Sequence, residues 1–409
     1  MNKKFFERFD ITLFLSVIAL ITIGIFAIFS ATQSSPANMD YYLKQMSFAL
    51  IGLVMVVVVS YIPPRYISSL TYYAYGLALV MLVLVLLFGK TINGNKSWFY
   101  VGGFGIQPSE FAKVATVLAI ANFFYKGEED NPKIKFLDIL KSLSFVLVPA
   151  VLIKLENDTG TTLVILSFII PMFFWAGVSP FLLYAVVTPV FAVVLAFIDI
   201  NYFIVYVIVV AVSLFFFKRH WIPSVSILLL NIVAGLSEKI LFSKLQGYQQ
   251  NRIKAVFDPT SDPLGSGYNV IQSKVAIGSG GLWGKGFMQG SQTQLRFIPE
   301  QWTDFIFCVI GEEFGLFGAF VVIFLFLIII YRLLNNAYYS RNRFLSIACV
   351  GFASLFFFHM FINMGMTIGI APVIGIPLPF VSHGVSSLLS FLLMIGIAMN
   401  TYRHKDIFL

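Results

Sequence analysis

Apolar runs of roughly 16–22 residues or longer recur along nearly the whole chain, and they constrain its fold more than any other feature. They fall at 11–32, 45–62, 69–88, 109–125, 139–155, 160–177, 179–198, 202–217, 221–241, 303–331, 344–370 and 385–401. Inside a bilayer no water reaches the backbone, so each run must satisfy its own N–H and C=O groups as a helix. Composition agrees. The chain is 59% hydrophobic and 11% charged, with mean hydropathy +0.89, whereas a soluble domain carries about 25% charged residues. The predicted fold is all-α: a polytopic helical membrane protein of about 10–12 transmembrane helices with one large extracytoplasmic loop. The run 11–32 reads as a span, since it lacks the small-residue cleavage site of a signal peptide. Cys308 and Cys349 lie within apolar runs and offer neither a disulfide framework nor metal-ligand spacing.

The net charge of +8 reads as a device that orients helices, not as a nucleic-acid surface. Arg65, Lys126, Lys133, Lys135, Lys218, Arg219, Arg332, Arg341 and Arg343 fall in short loops of one parity. Lys3, Lys4 and Arg8 precede the first span, and Arg403 and Lys405 follow the last. Short loops of the other parity hold Lys44, Lys90 and Lys96. The positive-inside rule then predicts both termini in the cytoplasm and residues 242–302 outside.

Four polar stretches converge on that outer side: 89–113, 154–162, 251–304 and 371–387. The third is long, rich in Gly, Pro, Asp, Arg and Lys, and lacks a long apolar run of its own; loops of that kind usually carry function. In the first, Ser109 is positioned to cap the next helix. Glu110 and Lys113 are then one turn apart on one face. They read either as an ion pair closing a helix end or as polar groups lining an outer cavity. Asp158 suits a helix cap. The stretch 371–387 holds Pro372, Pro377 and Pro379 in apolar sequence and predicts a broken or re-entrant element covered by protein or water.

Asp258 precedes Pro259, which restricts it to extended backbone. It reads as a turn residue or as a carboxylate base, with Arg252 and Lys254 near enough in sequence to meet phosphate. The glycines at 278, 280, 281, 284 and 286 read as tight turns and close packing, since no P-loop or Rossmann spacing is present. His383 reads as structural.

Taken in order, these segments resemble the SEDS family (shape, elongation, division and sporulation), and within it the elongation type. The matching runs are Gln107-Pro108-Ser109-Glu110 with Lys113; Asp158 with Gly160 and Thr161; Arg252 to Pro259; and Asp262 to Gly265. Further along come Gln272-Ser273 through Gly284-Lys285-Gly286, Ser291 to Leu295, Pro299-Glu300 with Thr303 to Phe307, and Gly375 to Ser382. Three motifs depart from the family pattern. Ser97-Trp98 stands for Arg-Trp, Glu156-Asn157-Asp158 for Gln-Pro-Asp, and Ser382-His383-Gly384-Val385 for Ser-Tyr-Gly-Gly. The family is usually described with ten spans. The sequence here offers three apolar stretches between 178 and 241 where one is expected, and an insertion of two keeps the outer loop outside.

The resemblance implies a single membrane domain over 1–409 that polymerises the lipid-linked disaccharide-pentapeptide, lipid II, into glycan strands for cell-wall elongation. It implies Asp258 as the catalytic carboxylate. It also implies substrate contacts from Arg252, Lys254, Glu110, Lys113, Asp158, Gln272, Ser273, Glu300, Asp304 and Ser382. A divalent cation, Mg2+ or Mn2+, could assist the pyrophosphate; no cofactor is required by the sequence. The implied partners are a class B penicillin-binding protein and other elongation-complex membrane proteins, in the cytoplasmic (inner) membrane. A flippase for the lipid-linked precursor is the alternative. It predicts ionisable groups deep in several helices and inverted repeats, whereas here the ionisable groups gather at helix ends and no repeat is visible.

Overall fold

The computed structural model describes residues 8–34, 38–92, 94–101, 104–130, 134–217, 221–262 and 265–406. Lys3, Lys4, Lys133, Lys218, Arg219, Pro263 and Leu264, used above, lie outside the described residues. The helices in order are α1 (Ile11–Gln33), α2 (Tyr41–Tyr61), α3 (Pro64–Phe88), α4 (Pro108–Asp130), α5 (Phe136–Leu155), α6 (Thr159–Ser167), α7 (Ile169–Ala176), α8 (Pro180–Ile198) and α9 (Ile200–Phe216). Then come α10 (Trp221–Leu236), α11 (Glu238–Ser243), α12 (Gly247–Phe257), α13 (Ser266–Gly280), α14 (Ser291–Gln294), α15 (Ile306–Glu313), α16 (Gly315–Tyr339), α17 (Arg343–Thr367) and α18 (Val385–Arg403).

All twelve apolar runs are helical. Among the described residues, nine helical segments are long and apolar enough to cross a membrane. The 23 residues of α1 rise about 35 Å, enough for a hydrocarbon core of about 30 Å. α9 and α10 are apolar but shorter, and α4 carries Glu110 and Lys113 in its first two turns. The run 303–331 is divided: α15 ends at Glu313, and Gly315, at φ 64°, turns the chain into α16.

Two compact units form. One is Phe173–Lys254; the other comprises the residues before and after it. Within the larger unit α17 and α18 are the most enclosed spans, with 72% and 78% of their apolar windows buried against 28% for α2. That places them at its centre. Large apolar side chains such as Leu50, Val54 and Phe88 stay exposed on the outer helices, as a lipid-facing surface requires. The smaller unit packs α8, α9 and α10 together. Its polar glue is a buried Asn231, which donates to Thr188 Oγ1 at 3.0 Å, and Tyr206, which donates to the Thr188 carbonyl.

The 89–107 loop folds as an antiparallel three-stranded meander: β1 (Lys90–Ile92), β2 (Asn95–Val101) and β3 (Phe104–Ile106), with Lys90 opposite Trp98 and Phe99 opposite Ile106. The long polar loop is itself largely helical, holding α12, α13 and α14. Their short polar sequences carry no long apolar run, so sequence alone predicts a loop there.

Candidate active site

Asp258 follows the last residue of α12. Its backbone is extended (φ −136°, ψ 92°), as the following proline requires, and its exposed carboxylate accepts from Thr260 N at 3.0 Å and from Thr260 Oγ1. Asp262 next reaches the first residue of α13: its Oδ2 accepts from Ser266 N at 2.8 Å and from Ser266 Oγ at 2.9 Å. Asp262 thus holds a turn, and Asp258 forms an Asx turn whose carboxylate is exposed.

Arg252 and Lys254 lie on α12, in the smaller unit. Arg252 stacks 5.5 Å over the Tyr248 ring and Lys254 sits 5.8 Å over Phe242. Two positions apart on a helix, they face different sides of it.

The other predicted residues separate into two groups. Glu110 and Lys113 form a 2.9 Å ion pair with 4% and 1% of their side chains exposed. They are buried and do not line an open cavity. Ser390 Oγ donates to Glu110 Oε2 at 3.1 Å, and Lys113 Nζ lies 3.3 Å from His359 Nε2. Asp158 caps α6, accepting from Thr161 N at 2.9 Å and Thr161 Oγ1 at 2.7 Å, and it also takes the Gln107 side-chain amide at 2.9 Å. Since the Gln107 carbonyl accepts from Glu110 N, Asp158, Gln107, Glu110 and Lys113 form one connected assembly. Burial raises the Asp158 carboxyl and the Thr161 bonds oppose that shift. Ser109 does not cap α4: the helix starts one residue earlier, at Pro108, and Ser109 Oγ is buried without a hydrogen-bond partner. Pro108 suits the first helical turn because it has no N–H to leave orphaned.

The second group ties loops together. Ser382 Oγ donates to the Thr303 carbonyl at 2.6 Å and accepts from Leu378 N at 2.8 Å. Its carbonyl accepts from Gln45 Nε2 at 3.1 Å. The backbone carbonyl of Asp304 accepts from Asn363 Nδ2 at 2.9 Å. Glu300 is exposed at φ 51°. Ser273 is buried in α13, donating to the Asn269 carbonyl at 2.6 Å, and Gln272 beside it is half-buried. His383 stacks on Tyr41 at 4.4 Å, and burial and the Lys44 charge push its imidazole down to about 4. It is neutral at physiological pH, as suits a structural group.

The glycine-rich segment packs as read. A Cβ at Gly280 would lie 2.0 Å from the Gly311 carbonyl oxygen, and one at Gly284 2.1 Å from that of Glu313. Lys285 N and Gly286 N donate to the Glu312 and Glu313 carbonyls, both at 3.0 Å. The buried Glu312 carboxylate takes Lys285 Nζ at 2.8 Å, Gln292 N and Thr293 N at 2.9 Å each, and Thr293 Oγ1 at 2.8 Å. Glu313 accepts from Ser30 Oγ.

Sequence reasoning missed His359, Ser390 and the carboxyl of Glu156. The visible signal for His359 was a lone ionisable residue inside an apolar run. Glu156 is fully buried, neither carboxyl oxygen has a hydrogen-bond partner, and burial followed by the Asp158 charge pushes its carboxyl up to about 9. Among the described residues no three His, Cys, Asp or Glu side chains gather as a metal cage.

The whole chain has known counterparts. A family model described as "Cell cycle protein", covering FtsW, RodA and SpoVE, matches residues 10–203 and 180–407. The peptidoglycan glycosyltransferase MrdB of Escherichia coli K12 is 34% identical over 407 residues, covering 99% of this chain and 97% of its own. The peptidoglycan glycosyltransferase RodA of Treponema pallidum is 33% identical over 431 residues, covering 98% of this chain and 99% of its own. A solved chain from a peptidoglycan synthase complex that coordinates polymerization and crosslinking superposes with TM-score 0.72 at 25% identity, covering 97% of this chain and 98% of that one. The crystal structure of the rod shape determining protein RodA of Thermus thermophilus shares the fold, with TM-score 0.64 at 23% identity over 98% of each chain. The chain belongs to the FtsW/RodA/SpoVE family of cell cycle proteins.

Proposed function

We propose that this protein is a peptidoglycan glycosyltransferase that polymerises lipid II into glycan strands during cell-wall elongation. The full-length match to enzymes named for that activity carries the reading. The chemistry is glycosyl transfer from a lipid pyrophosphate. The acceptor hydroxyl loses its proton, its oxygen bonds to the sugar C1, and the C1–O bond to pyrophosphate breaks. The leaving group departs as a stable anion, so the demands are a base for the acceptor and positive charge for the phosphates.

Asp258 is the base in this reading. Its support is an exposed carboxylate on a turn fixed by Pro259 and Thr260. Arg252 and Lys254, six and four positions before it in sequence, are proposed phosphate contacts. Gln272, Glu300 and Asp304 are proposed substrate contacts. Glu110, Lys113, Asp158, Ser273 and Ser382 contribute by holding the elements that carry them, because each is buried and hydrogen-bonded within the protein. A divalent cation, if used, would rest on single carboxylates and the substrate's own phosphates, as Mg2+ commonly does.

The protein is a multi-pass membrane protein. The finer placement is part of the proposal: the cytoplasmic membrane, both termini inside, residues 242–302 outside, and all 409 residues acting as one membrane domain. A class B penicillin-binding protein is the proposed partner, supported by the likeness to a chain from a synthase complex.

The test is glycan-chain formation from lipid II by the purified protein with its co-purified partner. Asp258→Asn keeps the Oδ1 that accepts from Thr260 and removes the base. It is expected to cost about two to four orders of magnitude in rate with folding intact. Near wild-type polymerisation by Asp258→Asn would move the base elsewhere.

A further inference from the structure

The loop 369–384 crosses the interior of the larger unit without secondary structure over most of its length. Its buried carbonyls need donors, and prolines at 372, 377 and 379 supply none. α17 supplies them from one face. Asn363 Nδ2 donates to the Ile376 carbonyl at 2.8 Å as well as to that of Asp304 at 2.9 Å. His359, one turn earlier on the same face, has Nδ1 3.0 Å from the next carbonyl, that of Pro377.

The other ring nitrogen fixes what His359 must be. Nε2 lies 3.3 Å from Lys113 Nζ. An ammonium can only donate, so Nε2 must present its lone pair, and Nδ1 must carry the proton given to Pro377. His359 is therefore a neutral imidazole in one tautomer. It is 1% exposed, and the Phe391 ring lies edge-on at 5.0 Å. Lys113 is fully engaged: Glu110 takes one N–H, His359 another, and the Phe391 ring lies 5.2 Å from the ammonium. A direct bond from Lys113 to Pro377 is not part of this set; the imidazole spans the gap.

We propose that His359 is a positioning residue for glycan polymerisation, linking the Lys113 ammonium to the Pro377 carbonyl and so fixing the Glu110–Lys113 pair against the 369–384 loop. This rests on the glycosyltransferase reading above. The loop is in turn tied to Thr303 through Ser382 and to Asp304 through Asn363. Displacement of the imidazole is thus transmitted to the segment entering α15. No substrate contact is needed from His359 itself, so its loss lowers turnover more than substrate affinity.

The experiment uses the full-length protein with its co-purified partner and lipid II, and compares His359→Leu, His359→Gln, Lys113→Met and the double variant His359→Leu/Lys113→Met. A glutamine amide can accept from an ammonium and donate to a carbonyl, so it can replace both bonds. His359→Leu is expected to lose about 10- to 100-fold in kcat, with KM for lipid II changed by less than about threefold. His359→Gln is expected to recover most of the loss. The double variant should be no slower than Lys113→Met alone, since the two side chains act through one link. Several results would overturn the proposal: near wild-type kcat in His359→Leu, additive losses in the double variant, or a folded His359→Gln as slow as His359→Leu. That last outcome would assign the imidazole chemistry of its own. If His359→Leu does not fold, His359→Gln alone and combined with Lys113→Met decides between the same outcomes. Wild-type protein that makes no glycan overturns the activity reading and this proposal with it. An active wild type with unaffected His359 variants overturns only the latter.

Discussion

Asp258 and Glu156 are both carboxylates in connecting segments, yet their surroundings are opposite. Asp258 is exposed and accepts from Thr260. Glu156 is wholly buried with neither oxygen hydrogen-bonded, and burial, then the Asp158 charge, push its carboxyl up to about 9. At neutral pH it is a neutral acid, so the residue stands where the family pattern has a neutral glutamine without adding a charge. The folded-state value lies above the ordinary 4.5. Folding is therefore favoured by proton binding, fully so below about 4.5, and that contribution is lost as pH rises toward 9. Across that window the slope is at most about 1.4 kcal/mol per pH unit. Glu156→Gln should flatten the fall in thermal stability of the purified protein between pH 6 and 9, values inside that window. Parallel curves for the two proteins would show that Glu156 does not titrate there. Residue-level features were unevenly legible. Glu110 and Lys113 share one helical face and could be paired from spacing alone. His359 is 246 positions from Lys113, and no local pattern connects them.

At the scale of elements, two glycines on α13 make a matched pair. Gly280 faces the Gly311 carbonyl, and an added methyl would lie 2.0 Å from it; Gly278 faces open space. Gly280→Ala must push backbone against backbone, and overpacking of this kind costs about 1–3 kcal/mol. Gly278→Ala gains helix propensity of up to about 1 kcal/mol instead. Thermal melts of the two variants should therefore move in opposite directions. A Gly280→Ala protein as stable as its parent would mean that α13 and α15 separate without cost. The apolar helices were readable because a bilayer leaves the backbone one solution at that length. α12, α13 and α14 were not, because short polar helices depend on tertiary partners that sequence spacing does not display. Glu312, which holds α14 from another element, is one such partner.

For the whole molecule, the proposed topology, with both termini inside and 242–302 outside, rests on span parity and the basic loops. Ser279 is exposed on α13, and the native Cys308 and Cys349 are buried. A cysteine introduced by Ser279→Cys should react with a membrane-impermeant thiol reagent in intact cells whose outer envelope admits it. Reaction only after lysis would invert the topology. Such an inversion would also separate Asp258 from any substrate presented at the outer surface.

The packing of residues 281–290 against Glu312 and Glu313 has a further consequence. Lys285 N and Gly286 N bond the Glu312 and Glu313 carbonyls, and Lys285 Nζ bonds the buried Glu312 carboxylate. Conformational freedom lost to these bonds is lost on folding, so little is left for the segment to lose in any later event. The segment is therefore a fixed part of the framework joining α13 to α15, not a loop that orders only on binding.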